Sequence, residues 1–99
     1  SMIQRFEYTY SLALKFAARF ISLQTLDSAD AVTFNEIIRK SNQFGILRSN
    51  LPVWNEYRKY RNMTSHTYDE NTAEKVISII PDFREEALFL LNKLKEKSV

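Results

Sequence analysis

Cysteine is absent from this chain of 99 residues, so it carries neither a disulfide framework nor a thiolate metal site. Histidine occurs once, at His66, which argues against a zinc or iron centre and leaves no cofactor to expect. Glycine occurs once and proline twice. An all-β domain needs more of both for its turns; a few long helices with short connections do not. No apolar run approaches the roughly 18 residues that a membrane span requires, and no signal-peptide pattern precedes the first helical segment. The chain therefore reads as cytoplasmic with no membrane contact. Ser1-Met2 reads as a cloning remnant followed by a start.

Apolar and aromatic residues make up 44% of the sequence, enough for a folded core and far from a disordered composition. The length fits one small domain over residues 1–99, with a single core of limited size. The net charge of +2 is unevenly placed. Arg39, Lys40, Arg48, Arg58, Lys59 and Arg61 face only Glu56 in the middle of the chain, whereas Asp69, Glu70, Glu74, Asp82, Glu85 and Glu86 outnumber Lys75 and Arg84 further on. A basic middle can attract phosphates; the plainer alternative is a solvated surface of fluctuating sign.

The apolar spacing predicts four helices. Ile3, Phe6, Tyr10, Ala13, Ala17 and Phe20 recur at steps of three and four, one stripe of a helix from about Ile3 to Leu23. Leu12, Phe16 and Leu23 form a second stripe, so this helix has more apolar surface than a small bundle buries, and a partner chain is expected to cover the excess. Leu26 to Ala31 reads as a loop. Thr33 and Glu36 form a capping box for a short second helix, and Gly45 stands where a left-handed cap is needed. A third helix starts near Asn50 with Pro52 in its first turn; Val53, Tyr57, Tyr60 and Thr64 make its inward stripe, with Trp54, Arg61 and Tyr68 on a neighbouring line. Asn71 to Glu74 is a second capping box. It opens a last helix whose apolar phase survives Pro81, which predicts one helix kinked at the proline. The fold class is all-α, an up-and-down helical bundle.

The stretch YRNMTSHTY concentrates chemistry. With Arg61 at zero and about 100° per residue, Asn62 lies near ~100° and His66 near ~140°, sharing a face, while Tyr68 returns to about −20° beside Arg61 if the helix persists. Two copies of this helix across a dyad bring the set closer. The group suits phosphate chemistry: His66 to move a proton near neutral pH, Arg61 to hold a phosphate and stabilise developing charge, Asn62 to orient the histidine or a ribose hydroxyl. Metal-free RNA cleavage by a 2′-hydroxyl needs little more. The structural alternative is a histidine interacting with a helix C-terminus and an arginine paired with Glu56 or Asp69.

The order Arg61, four residues, His66, one residue, Tyr68 resembles the R-x4-H-x-Y signature of HEPN domains. Together with IQRFEYTYSLALKF, FGIL and YRNMTSHTYDENTAEKV, it makes nearly the whole chain resemble the nucleotidyltransferase substrate-binding protein family, whose members are encoded beside a minimal nucleotidyltransferase. The resemblance implies a helical bundle that forms a homodimer with the motif helices near the interface. It implies a toxin–antitoxin role in which Arg61 and His66, with Asn62 beside them, cleave RNA as a metal-independent endoribonuclease. The partner nucleotidyltransferase then transfers AMP to Tyr68. A non-catalytic substrate-binding or docking module for that enzyme is the other implication. The family pattern carries a further helix ahead of IQRFEYTY. This sequence starts at that segment, and the resemblance implies that such a helix would cover the surplus apolar face of the first helix.

Overall fold

The computed structural model describes residues 1–26, 28 and 32–97. Four helices run in order: α1 Met2–Thr25, α2 Phe34–Phe44, α3 Leu51–Met63 and α4 Glu70–Lys97, with a 3₁₀ turn at Thr64–His66 between the last two. This is the expected all-α bundle. Of the predicted first loop, Asp27 and Ala29 to Ala31 lie outside the described residues.

Local chemistry sets most helix ends. Thr33 Oγ1 accepts from the Glu36 amide at 3.2 Å and donates to its carboxylate at 3.1 Å, so the capping box starts α2 as predicted. Gly45 ends it with φ +75°. The Gly45 amide donates to the Asn42 carbonyl and the Ile46 amide to the Ser41 carbonyl, the paired bonds of a Schellman termination. Asn50 precedes α3 without a side-chain cap, and Pro52 occupies the first turn. The second predicted capping box does not form, because α4 begins one residue before Asn71. Asp69 takes the capping position: its carbonyl accepts from the Ala73 amide and its carboxylate from the Thr72 hydroxyl at 2.8 Å. α4 then runs unbroken through Pro81, one helix as the surviving apolar phase requires.

The core is aromatic at its centre. Phe83 of α4 meets Phe6, Trp54 and Tyr57 edge-on, with ring centroids 5.2, 5.8 and 5.1 Å away; such pairs are favourable beyond their buried area. Phe6, Tyr10, Ala13 and Ala17 of α1 are buried, as their spacing predicts. In α3 the expected inward line is rotated. Trp54 is buried with Tyr57, whereas Val53 and Tyr60 are only half-buried, because the aromatic cluster draws the largest ring inward. Ile46 and Leu47 of FGIL plug the bundle, and the Asn42 amide holds that segment through the Leu47 and Ser49 carbonyls at 3.3 and 2.8 Å.

Two features were not expected as such. Glu86, within the acidic run read as surface, is fully buried; its Oε2 accepts from the Arg48 amide at 2.9 Å, and the Arg48 Nε lies 3.7 Å from Oε1. Arg48 also donates to Asp82, as does the Tyr57 hydroxyl at 2.6 Å. Burial pushes the Tyr57 phenol well above the usual tyrosine range, and the bond to Asp82 adds to the shift. Between α1 and α4 lies a groove of about 530 Å³ walled by Leu12, Phe16, Leu88 and Leu91 and flanked by Arg5 and Arg84. Phe16 and Leu23 are exposed, so the surplus apolar surface of α1 is real. No helix among the described residues is long and apolar enough to cross a membrane.

Candidate functional site

The end of α3 is built by Thr64. Its hydroxyl donates to the Arg61 carbonyl at 2.7 Å and accepts from the Arg61 guanidinium at 3.0 Å. The Arg61 carbonyl thus accepts from both the Thr64 hydroxyl and the Thr64 amide, and the backbone bond across three residues tightens the chain into the 3₁₀ turn. Thr67 donates to the Thr64 carbonyl at 3.4 Å, and the Asp69 amide to the His66 carbonyl at 3.2 Å. His66 is therefore carried on a short, internally bonded turn between two helices.

That turn changes which residues meet. The helix does not persist to Tyr68, so Arg61 and Tyr68 do not share a helical face. Tyr68 instead comes beside His66: its hydroxyl lies 3.3 Å from the imidazole Nδ1, and the rings meet at 82° with centroids 5.8 Å apart. Tyr68 is 86% exposed, so its hydroxyl is open to a large reactant. Asn62 and His66 line one groove of about 560 Å³ with Asn55, Arg58, Lys59 and Met63.

Arg61 turns to the other side. Its guanidinium lies 3.4 Å from the Glu7 carboxylate of α1, and about a third of each side chain is exposed. The expected partners Glu56 and Asp69 are thus replaced by Glu7, because Arg61 faces α1 rather than its own helix surface. Glu56 pairs with Lys59 at 3.9 Å. Tyr10 lies close enough for Arg58 and Arg61 to oppose the rise that burial gives its phenol. The sequence reading missed Glu7, although it falls within the quoted RFEYTY. No spacing rule links residues on separate helices, and only packing brings α1 against the end of α3.

A sequence model of the family described as nucleotidyltransferase substrate binding protein like matches residues 1–96. The chain belongs to that family. Among members of this nucleotidyltransferase substrate-binding family, a probable ribonuclease HepT from Haemophilus influenzae is 38% identical over 98 residues, which is 97% of this chain and 66% of that protein. The chain thus spans just under two thirds of that relative's length. The solved structure of HI0074 from Haemophilus influenzae, described as the fold of a substrate binding domain of a nucleotidyltransferase, matches with a TM-score of 0.86 and 39% identity. The match covers 94% of this chain and 70% of that one.

Proposed function

We propose that this protein is the HEPN-type partner of a minimal nucleotidyltransferase and a metal-independent ribonuclease toxin, neutralised when the partner transfers AMP to Tyr68. The observation that carries the reading is the contact of the Tyr68 hydroxyl with the His66 imidazole on an open surface. In cleavage, the 2′-oxygen attacks the adjacent phosphorus while His66 accepts its proton. The P–O5′ bond then breaks, leaving a 2′,3′-cyclic phosphate; the 5′-oxygen takes a proton from water, and Arg61 balances the charge that develops on the phosphate. In neutralisation, the Tyr68 oxygen attacks the α-phosphorus of ATP and pyrophosphate leaves. The new phosphodiester then stands beside His66, occupies the anion position and repels RNA. Assembly into a homodimer brings two such surfaces together, and exchange of the Glu7 carboxylate for the phosphate frees the Arg61 guanidinium for that role.

The held position of Arg61 favours a second reading. Its guanidinium is already taken by Glu7 and Thr64, as suits a rigid docking surface that presents a substrate to the nucleotidyltransferase without cutting RNA. Incubation with the active partner, ATP and Mg²⁺, followed by peptide mass spectrometry, tests the first reading. AMP is expected on the peptide containing Tyr68, and its appearance on Tyr57 or Tyr60, or nowhere, overturns the assignment. Cleavage of RNA in the presence of EDTA separates toxin from docking module. His66→Ala and Arg61→Ala should each lower it by roughly a hundredfold, and cleavage by both variants at the unsubstituted rate removes the enzymatic reading.

A further inference from the structure

We infer that Asn55, Arg58 and Lys59 form a phosphate track that delivers single-stranded RNA along α3 to His66. The inference rests on the ribonuclease reading above and extends it to residues outside the R-x4-H-x-Y pattern. Asn55, Lys59 and Asn62 follow one another at steps of four and three, so they share a helical face over about 10 Å of axis. They line the same groove as His66, and among the described residues no acidic side chain lines it. A row of donors leading to one imidazole suits an extended polyanion better than a single phosphate.

The side chains are placed for such a backbone. The Arg58 guanidinium stacks 4.8 Å from the centre of the Phe34 ring. A cation–π contact of this kind steadies the guanidinium, and its five N–H groups remain suited to a phosphate. Lys59 is paired with Glu56 only at 3.9 Å, both being more than half exposed. An exposed pair of that kind contributes little and exchanges readily for a phosphate. Met63 supplies apolar surface within the groove against which an unstacked base or ribose can lie, and Asn55 and Asn62 offer amides to base edges or a 2′-hydroxyl. Those features favour an unpaired strand over a duplex, whose bases are not available to side chains in this way. They also favour RNA over an acidic protein segment, in which a flat ring does not accompany each negative charge.

The test uses the full chain carrying His66→Ala, so that bound RNA is not cut, and a fluorescein-labelled oligouridylate about a dozen nucleotides long. Fluorescence anisotropy is measured across a salt series. Adding Arg58→Gln and Lys59→Gln should weaken binding about tenfold or more at moderate salt. The salt dependence should become shallower by roughly 0.7 in log–log slope for each phosphate that is no longer neutralised. Lys15→Gln with Arg19→Gln, on the exposed side of α1, is the charge-matched control and should leave both quantities unchanged. Equal losses in the control, an unchanged slope in the track variant, or no binding of the oligouridylate overturns the track. So does displacement of the RNA by a polyglutamate peptide at equal charge, which assigns the groove to acidic proteins. Binding through Arg58 and Lys59 without cleavage by the His66-containing chain supports the track while removing the ribonuclease reading. Cleavage that is indifferent to both substitutions does the reverse. Circular dichroism melts of each variant should match the parent, since all the substituted positions are exposed.

Discussion

Arg48→Ala should be among the most damaging substitutions at any partly exposed position of this protein. The Arg48 side chain is 35% exposed, yet it is the countercharge for Glu86, whose side chain is 0% exposed. With the guanidinium gone, the Arg48 amide still donates to Glu86 Oε2, but Oε1, which already lacks a hydrogen-bond partner, loses the cation beside it. Removing one member of a buried pair costs about 3–5 kcal/mol, because the remaining charge stays desolvated. The surviving amide bond and the solvent access along Arg48 place the value near the lower end, about 3 kcal/mol. Breaking the ion pair with Asp82, which is 56% exposed, adds little. Against a total stability of roughly 5–15 kcal/mol for a domain of this kind, that is a large share. In urea titrations followed by circular dichroism, it should lower the midpoint by about 2 M at an m-value near 1.5 kcal/mol/M. Glu86→Gln removes the charge while keeping the shape, so Arg48→Ala combined with Glu86→Gln should cost about 1–3 kcal/mol less than the sum of the single changes. A single-variant loss below about 0.5 kcal/mol, or strict additivity of the two changes, refutes the claim that Arg48 is the countercharge on which buried Glu86 depends.

Gly45→Val should cost well over 1 kcal/mol and Gly45→Asn distinctly less, because the positive φ penalises a branched Cβ while a Cβ there meets no atom within 4 Å; equal unfolding midpoints for the two variants contradict this. Tyr57 stays protonated in the folded chain after the unfolded phenol ionises near pH ~10, so its contribution is complete below that pH and is lost at about 1.4 kcal/mol per unit above it. Tyr57→Phe should make the alkaline decline shallower by about that slope, and identical pH profiles of denaturant midpoint refute the assignment. The exposed Phe16 and the groove between α1 and α4 lead us to expect a homodimer, and a light-scattering mass that stays near 11.7 kDa across a wide dilution series refutes it.

Helix number, helix ends and most of the α1 core face were legible in the sequence because they depend on neighbours three or four positions away. The Thr33–Glu36 box, the left-handed Gly45 and the stripe through Phe6, Tyr10, Ala13 and Ala17 are all interactions of that range. The second capping box misled because Asp69, Asn71 and Thr72 are competing local caps, and the tight turn at Thr64–His66 decides where α4 begins. The candidate site divides in the same way. Asn62 and His66 share a groove because a helix and its last turn keep them on one face. The meeting of His66 with Tyr68 depends on the α-helix giving way to a 3₁₀ turn after Met63, where the amide and hydroxyl of Thr64 both bond back to Arg61. Three facts belonged to tertiary structure alone: the hold of Glu7 on Arg61, the burial of Glu86 beneath Arg48, and the rotation that places Trp54 in the core. Each joins residues on different elements, where burial and charge pairing between helices outweigh anything a short window of sequence contains.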